Sequence, residues 1–227
     1  MKTILWKFAY SPFYVSLLGY FKNHQFDFIG PILGQEISQK KLNQIVNFRI
    51  ENYRIQSPHL IPTTEDEKII QHIIDQKSYH VLCEDKGEII GAIRLTPYPF
   101  DRVPTDIRFG EHLELSRLIV KKSGKKIGKH LLIYTGLQTI INSDKKGFVA
   151  ICKRPNYKIF KKFGLKKVST ISFNDREEDY FFIEATFQQI THTTLKYVIK
   201  KSNDNIKNKI KLISNKLSKL SGVGNEI

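Results

Sequence analysis

A lysine-rich loop separates an apolar, strand-like run from an apolar, helix-like run. Residues 121–129 read KKSGKKIGK, which places five lysines and two glycines within nine positions. Backbone N–H groups at the start of a helix attract anions through the helix dipole, and glycine lets a ligand approach the backbone closely. The pattern predicts a phosphate-binding loop, and its simpler alternative is a solvated lysine loop with two turn glycines.

Two ionisable side chains of opposite charge lie on the strand-like run before this loop. Residues 112–120 read HLELSRLIV, with Glu114 and Arg117 three positions apart. A carboxylate beside a cleft can accept the proton that an ammonium group must lose before its nitrogen attacks. Because side chains alternate along a strand, Glu114 and Arg117 act together only if a β-bulge lies between them. An ion pair within the sheet is the alternative, and His112 on the same face as Glu114 is an alternative base.

Three further residues supply hydrogen-bonding groups upstream of this strand. Arg49 and Tyr53 are one helical turn apart, and Arg94 lies in the strand-like run GAIRL. A guanidinium group binds a carboxylate through two parallel hydrogen bonds. The two arginines are therefore predicted either to orient a substrate in a cleft or to brace a helix against the sheet through salt bridges.

The elements that position these residues follow from hydrophobic periodicity and turn signals. A helix is predicted over about 36–55, and a second helix begins at a capping box formed by Thr64 and Glu67. Strands 79–84 and 88–96 flank a tight turn that contains Gly87. The isoleucines of the second helix are predicted to form its buried stripe, and they are Ile69, Ile70, Ile73 and Ile74.

The second half of the chain alternates strands and helices before a closing hairpin. A helix begins near Leu131, a strand covers 148–152, and a short helix stops at Gly164. Strands at 166–173 and 179–187 then form a final hairpin whose turn covers 174–178. This order predicts an α/β (α+β) fold with a mixed, mostly antiparallel central sheet flanked by helices. The expected division is an aromatic extension at 1–34, a domain at 35–191 and a basic amphipathic tail at 192–227.

Composition limits the class of protein. The net charge of +15 predicts a polyanionic partner, such as a phosphorylated cofactor, an acidic protein, an anionic membrane or a nucleic acid. Cys83 and Cys152 both lie in apolar runs, which argues against a disulfide and for a reducing cytoplasm. The histidines have no zinc-site spacing, so no metal is expected. The N-terminal aromatic segment is expected to pack on the domain, with a membrane contact as the alternative.

Two segments resemble the GNAT superfamily of acyltransferases. Ser123 to Gly128 resembles the acyl-CoA pyrophosphate loop of that superfamily, whose pattern is Arg/Gln-x-x-Gly-x-Gly/Ala, with Ser123 and Lys126 as departures. Residues 157–165 resemble its later Tyr-x-x-x-Gly-Phe segment, although Phe160 occupies the position of the general-acid tyrosine. The resemblance implies a domain that binds an acyl thioester between its fourth and fifth strands.

The upstream half is similar to a narrower branch, the acyl-homoserine lactone synthases and the long-chain N-acyl amino acid synthases. The similarity depends on Arg49 and Tyr53, on residues 91–95 (GAIRL) and on residues 114–117 (ELSR), in this order and spacing. Together the resemblances cover about 36–190. They imply an N-acyltransferase that moves a medium- or long-chain acyl group from an acyl-carrier protein or acyl-CoA to an amine of a small molecule or a peptide side chain.

The resemblance also implies roles for individual residues. Glu114 and Arg117 are the catalytic pair, with Glu114 as the base, and a backbone N–H at the bulge polarises the thioester carbonyl. Arg49, Tyr53 and Arg94 bind the acceptor, and no cofactor is tightly bound. The residues expected to bind the pantetheine and phosphate of the donor are Leu118, Val120, Lys122, Gly124, Lys125, Lys126, Gly128 and Lys129.

Partners and alternatives follow from the same comparison. The carrier protein of the resembling branch is acidic, so a strongly basic surface would speed its capture. A lactone synthase that uses S-adenosylmethionine is one alternative, and a non-catalytic basic module that binds nucleic acid or an anionic membrane is another. Nucleic acid is not expected, since the aromatic residues lie in runs that look buried. A cytoplasmic protein is expected, and a peripheral membrane contact through the termini stays open.

Overall fold

The computed structural model describes residues 11–101, 103, 109–121, 127–173 and 179–201. Within these residues a seven-stranded sheet is covered by helices on both faces. The strand order is β1-β2-β3-β4-β5-β7-β6, and all neighbouring pairs are antiparallel except β4 and β5. The predicted fold class, a mixed and mostly antiparallel sheet flanked by helices, is confirmed.

The helices and strands have the following bounds. The strands are β1 (Asp27–Leu33), β2 (Tyr79–Asp85), β3 (Glu88–Pro97), β4 (His112–Val120), β5 (Gly147–Lys153), β6 (Lys166–Ile171) and β7 (Tyr180–Thr186). The helices are α1 (Ser11–Lys22), α2 (Gln39–Gln56), α3 (Glu65–Lys77), α4 (Ile127–Asn142), α5 (Arg154–Lys161) and α6 (Phe187–Lys201). Short 3₁₀ turns cover Gly34–Glu36 and Pro58–Leu60.

The local signals at the ends of the early elements act as predicted. Thr64 and Glu67 form a complete capping box at the start of α3, which satisfies backbone N–H groups that the first helical turn leaves free. The turn between β2 and β3 places Lys86 and Gly87 at φ angles of 50° and 84°. Such positive angles at both central positions match the right-handed twist of a two-stranded hairpin.

Helix α3 turns toward the sheet a different side from the one that the sequence predicts. Ile69, Ile70 and Ile73 are 57%, 54% and 44% exposed, so the predicted buried stripe is wrong for these three residues. The side of α3 that faces the sheet instead carries Gln71 and Asp75, which bind arginines of the sheet. Leaving a buried guanidinium group without hydrogen-bonding partners costs more free energy than leaving the apolar stripe of one helix exposed.

The N-terminal segment contributes both a helix and a strand. Helix α1 packs on α4, where Phe21 contacts the ring of Tyr134, and the hydroxyl groups of Tyr14 and Thr191 lie 2.8 Å apart. Strand β1 pairs with β2 and so forms one edge of the sheet. At the other end, α6 continues past residue 191 to Lys201, and the rest of the basic amphipathic tail predicted at 192–227 lies outside the described residues.

The two faces of the sheet pack against different helices. On the α4 face, strand residues such as Leu113, Leu115 and Phe148 form the main core with α1, α4, α5 and α6. On the opposite α2 face, Ile45, Phe48 and Tyr53 of α2 pack on residues of β2, β3 and β4. Alternation along β4 therefore places Glu114, between Leu113 and Leu115, on the α2 face.

Candidate active site

A wedge opens between β4 and β5. The two strands pair at three positions, His112 with Gly147, Leu113 with Phe148 and Glu114 with Val149. Beyond that point β4 continues along β3 as far as Val120, while β5 continues along β7 as far as Lys153. Two neighbouring parallel strands that stop pairing leave unpaired backbone groups on both sides of a cleft. The opening expected from the sequence between these strands is present.

A β-bulge at Arg117 changes the direction of the side chains on β4. Arg94 pairs with Ser116 and Ala92 pairs with Ile119, so β4 has one residue more than β3 over this stretch. Arg117 has a φ of 54°, a left-handed backbone conformation that residues other than glycine rarely adopt. The bulge meets the condition under which Glu114 and Arg117 lie on the same face.

Glu114 lies at the closed end of the wedge and is 1% exposed. Its Oε2 atom accepts a 2.6 Å hydrogen bond from the backbone N–H of Asp101, in the loop that follows β3. Burial alone would lower the pKa of Arg94, but Asp101, Asp75 and, to a smaller extent, Glu114 raise it. Glu114 is therefore held in one orientation, with its carboxylate buried beside the opening.

Arg117 connects the bulge to three other segments. One guanidinium nitrogen donates to the carbonyl of Leu60 at 3.2 Å, and the other donates to Oε1 of Gln71 at 2.9 Å. The second nitrogen also lies 3.4 Å from Oδ2 of Asp101. Since Asp101 contacts both Glu114 and Arg117, the two predicted catalytic residues meet through one loop residue.

Arg94 and Arg49 belong to a buried network of charges. Arg94 is 0% exposed and donates to Asp75 and Gln71 at 3.0 and 3.1 Å, and it also pairs with Asp101. Both guanidinium nitrogens of Arg49 bind the carboxylate of Asp75. The structure therefore places the two arginines between α2, α3 and β3, where they hold these elements together through Asp75.

Two members of this network, Asp75 and His80, have lowered pKa values for different reasons. Burial alone would raise the pKa of Asp75, but Arg49 and Arg94 outweigh it and lower that pKa to about 2. Burial, reinforced by Arg49, lowers the pKa of His80 to about 4, so its ring is neutral at pH 7. Nε2 of His80 lies 2.8 Å from the backbone carbonyl of Asp75.

His112, the alternative base, lies at the closed end of the wedge. Its ring stands over Gly147, since a Cβ atom at that position would lie 2.9 Å from Cδ2 of His112. Burial lowers the pKa of His112, against the opposing effect of Glu184 and Glu111. The ring is half-buried and packs edge-on against Phe109.

Tyr53 forms the α2 side of the site. Its ring is buried among Ile45, Phe48 and Ile119, and the guanidinium carbon of Arg117 lies 6.0 Å from the ring centroid. The structure therefore brings Tyr53 and Arg117 together, although they come from different elements.

The donor side of the site is described in part. Leu118 and Val120 are half-buried on β4 and pack against the main core on the α4 face. Gly128 and Lys129 lie in the first turn of α4, where a Cβ atom at Gly128 would make only an ordinary contact of 3.6 Å with Val120. The remaining candidates lie outside the described residues, and they are Lys122, Gly124, Lys125 and Lys126.

Gly91 determines how closely α4 approaches the sheet. A Cβ atom at this position would lie 3.1 Å from Ile127 and 3.3 Å from Leu131. The glycine therefore allows the first turn of α4 to lie directly on β3, next to the end of β4.

The two aromatic residues of α5 lie away from the wedge opening. Phe160 is buried in the main core. The hydroxyl of Tyr157 accepts a 3.2 Å hydrogen bond from the backbone N–H of Lys167 on β6, the edge strand beyond β7. In this arrangement neither residue offers a proton to a group between β4 and β5.

An apolar pocket of about 30 Å³ lies behind the closed end of the wedge, on the α4 face. Leu115 and Phe148, which flank the last paired positions of β4 and β5, form one wall, and Gly136 of α4 forms another. Tyr14 and Thr191 close it from α1 and α6. A pocket of this size holds about one water-sized group unless its side chains move.

A basic surface lies on α5 and β6. Residues 145–174 contain no aspartate or glutamate. Because α5 begins directly after β5, this surface adjoins one arm of the wedge. Its exposed cations, which form no ion pair within the described part of the chain, are Arg154, Lys158, Lys161, Lys162, Lys166 and Lys167.

Sequence reasoning missed three residues of the site. Gln71, Asp75 and Asp101 supply the acceptors for Arg94 and Arg117. The available signal was the spacing of Gln71 and Asp75, four residues apart on one side of a helix that must face two sheet arginines. Asp101 lies in a proline-containing loop and gives no periodic signal.

Three further observations concern metal ligands, the thiol groups and membrane crossing. The described residues contain no group of three or more histidine, cysteine, aspartate or glutamate side chains arranged to hold a metal ion. Cys83 and Cys152 are free and buried, and burial raises the pKa of each thiol to about 12. Of the helices described, none has the length and apolar character needed to cross a membrane.

Solved structures with the same arrangement exist, although no family model and no curated protein matches the sequence. An acyl-CoA N-acyltransferase from Pseudomonas aeruginosa is 14% identical, with a TM-score of 0.52 over 70% of this chain and 98% of that chain. An N-acetyltransferase from Staphylococcus aureus Mu50 is 20% identical, with a TM-score of 0.52 over 72% and 99%. The spermidine/spermine N-acetyltransferase SpeG from Vibrio cholerae is 13% identical, with a TM-score of 0.52 over 76% and 99%. At these identities the likeness establishes the fold alone, and the chain has the fold of the GNAT N-acyltransferases.

Proposed function

We propose that this protein is an N-acyltransferase that transfers an acyl group from a pantetheine thioester to an amine. The observation that carries the proposal is the wedge between β4 and β5 with Glu114 at its closed end. A thioester in the wedge lies against the bulged segment of β4, where backbone N–H groups can stabilise the oxyanion of the intermediate. No covalent enzyme intermediate is required.

Glu114 is the proposed base. Glu114 takes a first proton from the acceptor ammonium group and passes it to solvent. The neutral amine then forms a bond to the thioester carbon, its nitrogen loses a second proton to the carboxylate, and the C–S bond breaks to release a thiolate. The thiolate takes a proton back from Glu114 or from solvent. Arg117 and the Asp101 loop hold Glu114 and the acceptor side in place, with Arg49 and Arg94 supporting that wall from behind.

The proposed donor is an acidic acyl-carrier protein, with acyl-CoA as the alternative. The basic surface on α5 and β6 supports this choice, because an acidic partner would meet exposed cations on the helix that follows β5, one arm of the wedge. A carrier protein presents its thioester on a flexible arm, so the docking surface and the reacting carbon need not coincide. Lys129 in the first turn of α4 is the described residue of the phosphate loop that would contact the donor.

The apolar pocket is the proposed acyl site. It begins behind Leu115 and Phe148, next to the closed end of the wedge, and continues between α4 and α6. Each methylene transferred from water to this environment contributes about 0.8 kcal/mol, which favours a medium or long chain over acetyl. Such a chain must displace side chains of α4, since the empty pocket measures about 30 Å³.

A panel of donors and acceptors tests the proposal. The full-length protein is incubated with acyl-carrier thioesters and acyl-CoA of several chain lengths, together with amino acids, alkylamines, a lysine peptide and S-adenosylmethionine. Product masses distinguish an amide from a homoserine lactone. We expect an N-acyl product whose yield rises with chain length, and the absence of acyl transfer from every donor would contradict the proposal.

A further inference from the structure

The hydroxyl group of Tyr53 is buried and has no hydrogen-bond partner among the described residues. The residue as a whole is 3% exposed. Buried hydroxyl groups are nearly always hydrogen-bonded, since leaving one unpaired costs stability. Phenylalanine would fill the same space without this cost, so packing gives no reason for the oxygen atom.

The ring of Tyr53 lies beside Arg117, one of the two proposed catalytic residues. Its ring packs on Ile119, two residues beyond the bulge, and Arg117 lies over the ring with its guanidinium carbon 6.0 Å from the centroid. Arg117 in turn donates to Leu60 and Gln71, which fixes its position next to the ring. The ring of Tyr53 and the Asp101 loop thus both lie beside one guanidinium group, that of Arg117.

The charge of Arg117 decides what kind of atom can approach Tyr53. A second cation beside a guanidinium group is repelled, whereas an oxygen atom is attracted. The amine of the acceptor must reach Glu114, on the other side of Arg117 along β4. An acceptor that fits both requirements has an oxygen atom near Tyr53 and its amine near Glu114.

We infer that Tyr53 is a specificity-determining residue whose hydroxyl donates a hydrogen bond to an oxygen atom of the acceptor. This inference rests on the proposed function. It separates amines that carry a nearby carboxylate or carbonyl from plain alkylamines and polyamines, which have no oxygen to accept the bond. A site built to pair a polar group discriminates against analogues that lack the matching group.

The test compares Y53F with the unchanged protein on matched acceptors. Each amino acid is assayed beside the amine left when its carboxylate is removed, with one acyl donor held constant. We expect Y53F to raise the KM of the reacting amino acid by about tenfold, the effect of one hydrogen bond, with the KM of the donor unchanged. The thermal midpoint should stay equal or rise, because an unpaired buried hydroxyl is removed.

A second Tyr→Phe change controls for loss of a hydroxyl elsewhere. Tyr134 is buried on α4, and its hydroxyl bonds to Gln138 on the opposite face of the sheet. Y134F should leave the KM of the acceptor unchanged. An unaltered acceptor KM in Y53F, or acylation of the decarboxylated amines alone, would overturn the inference while the acyltransferase proposal stands. Absence of transfer from every donor would remove both.

Discussion

Glu114 and Val149 form the last pair between β4 and β5. The carboxylate of Glu114 and the opening of the wedge therefore meet at one point in the sheet. On the other side of Glu114, the backbone N–H of Asp101 holds the carboxylate at 2.6 Å. The position of the proposed base thus depends on the parallel pairing of two strands and on one loop contact, and each can be tested separately.

Replacing Glu114 with glutamine should abolish acyl transfer and preserve the fold. Glutamine keeps an oxygen that can accept the hydrogen bond from Asp101, but it cannot take a proton from the acceptor. Removal of a general base lowers kcat by roughly 10²- to 10⁴-fold. Single-turnover rates measure the loss, and thermal unfolding measures the fold.

Glu184 offers a matched control for this experiment. It lies on β7, pairs with Val149 and is half-buried, but it contacts neither Asp101 nor Arg117 among the described residues. E184Q should therefore retain transfer. If E114Q retained the full rate as well, Glu114 would not be the base, and His112 would become the candidate.

Gly147 is predicted to be essential for closing the wedge. A Cβ atom at this position would lie 2.1 Å from the carbonyl oxygen of Ala185 and 2.9 Å from the ring of His112. Because the first contact is with backbone, β5 and β7 must separate in G147A. The expected loss of unfolding free energy is about 1 to 3 kcal/mol, measured by chemical denaturation.

Gly128 supplies the matched glycine for comparison. Its Cβ atom would make one ordinary contact at 3.6 Å, so G128A should change the unfolding free energy by less than about 0.5 kcal/mol. Equal stability of the two variants would show that the strands at Gly147 are less tightly packed than the structure indicates.

The contrast between β4 and α3 shows how far the sequence could predict the site. Capping residues, turn residues and strand periodicity depend on neighbours in the chain, and the ends of α3 and the β2–β3 turn follow them. The bulge at Arg117 depends on the pairing of β4 with β3. From the sequence it could be inferred only that Glu114 and Arg117 lie on the same face if such a bulge is present. The orientation of α3 depends on Arg94 and Arg117, which lie far away in the sequence. The hydrophobic pattern of a helix therefore does not predict which of its sides packs on the sheet when the sheet carries buried arginines.

Stability should fall as the pH decreases from 6.5 to 4, and His80 should cause much of this fall. The folded protein lowers the pKa of His80 from 6.5 to about 4, mainly through burial and the nearby Arg49. The unfolded chain therefore binds a proton in this interval that the folded chain rejects, so unfolding is favoured as the pH falls. A shift of this size corresponds to about 3 kcal/mol at most.

The substitution H80Q removes this titration and keeps a side-chain N–H that can bond to the carbonyl of Asp75. The unfolding free energy of H80Q should change less between pH 6.5 and 4 than that of the unchanged protein. His72 lies exposed on α3 and provides the control, since H72Q should leave the pH dependence as it was. If the unfolding free energies of H80Q and the unchanged protein showed the same dependence on pH, the pKa of His80 would not be lowered in the folded protein.

If the proposed donor is correct, the basic surface on α5 and β6 should affect transfer from a carrier protein more than transfer from acyl-CoA. The double change R154E/K158E reverses two exposed charges beside the arm of the wedge formed by β5. An acidic carrier is then repelled, and we expect its KM to rise at least tenfold at low salt, with a smaller effect at high salt. The kcat with acyl-CoA should change little, because Glu114 and the acyl pocket are untouched. The control K22E/K77E changes the net charge by the same amount, but at exposed lysines of α1 and α3. If the KM of the carrier protein rose equally in that variant, the effect would come from total charge and not from docking on α5.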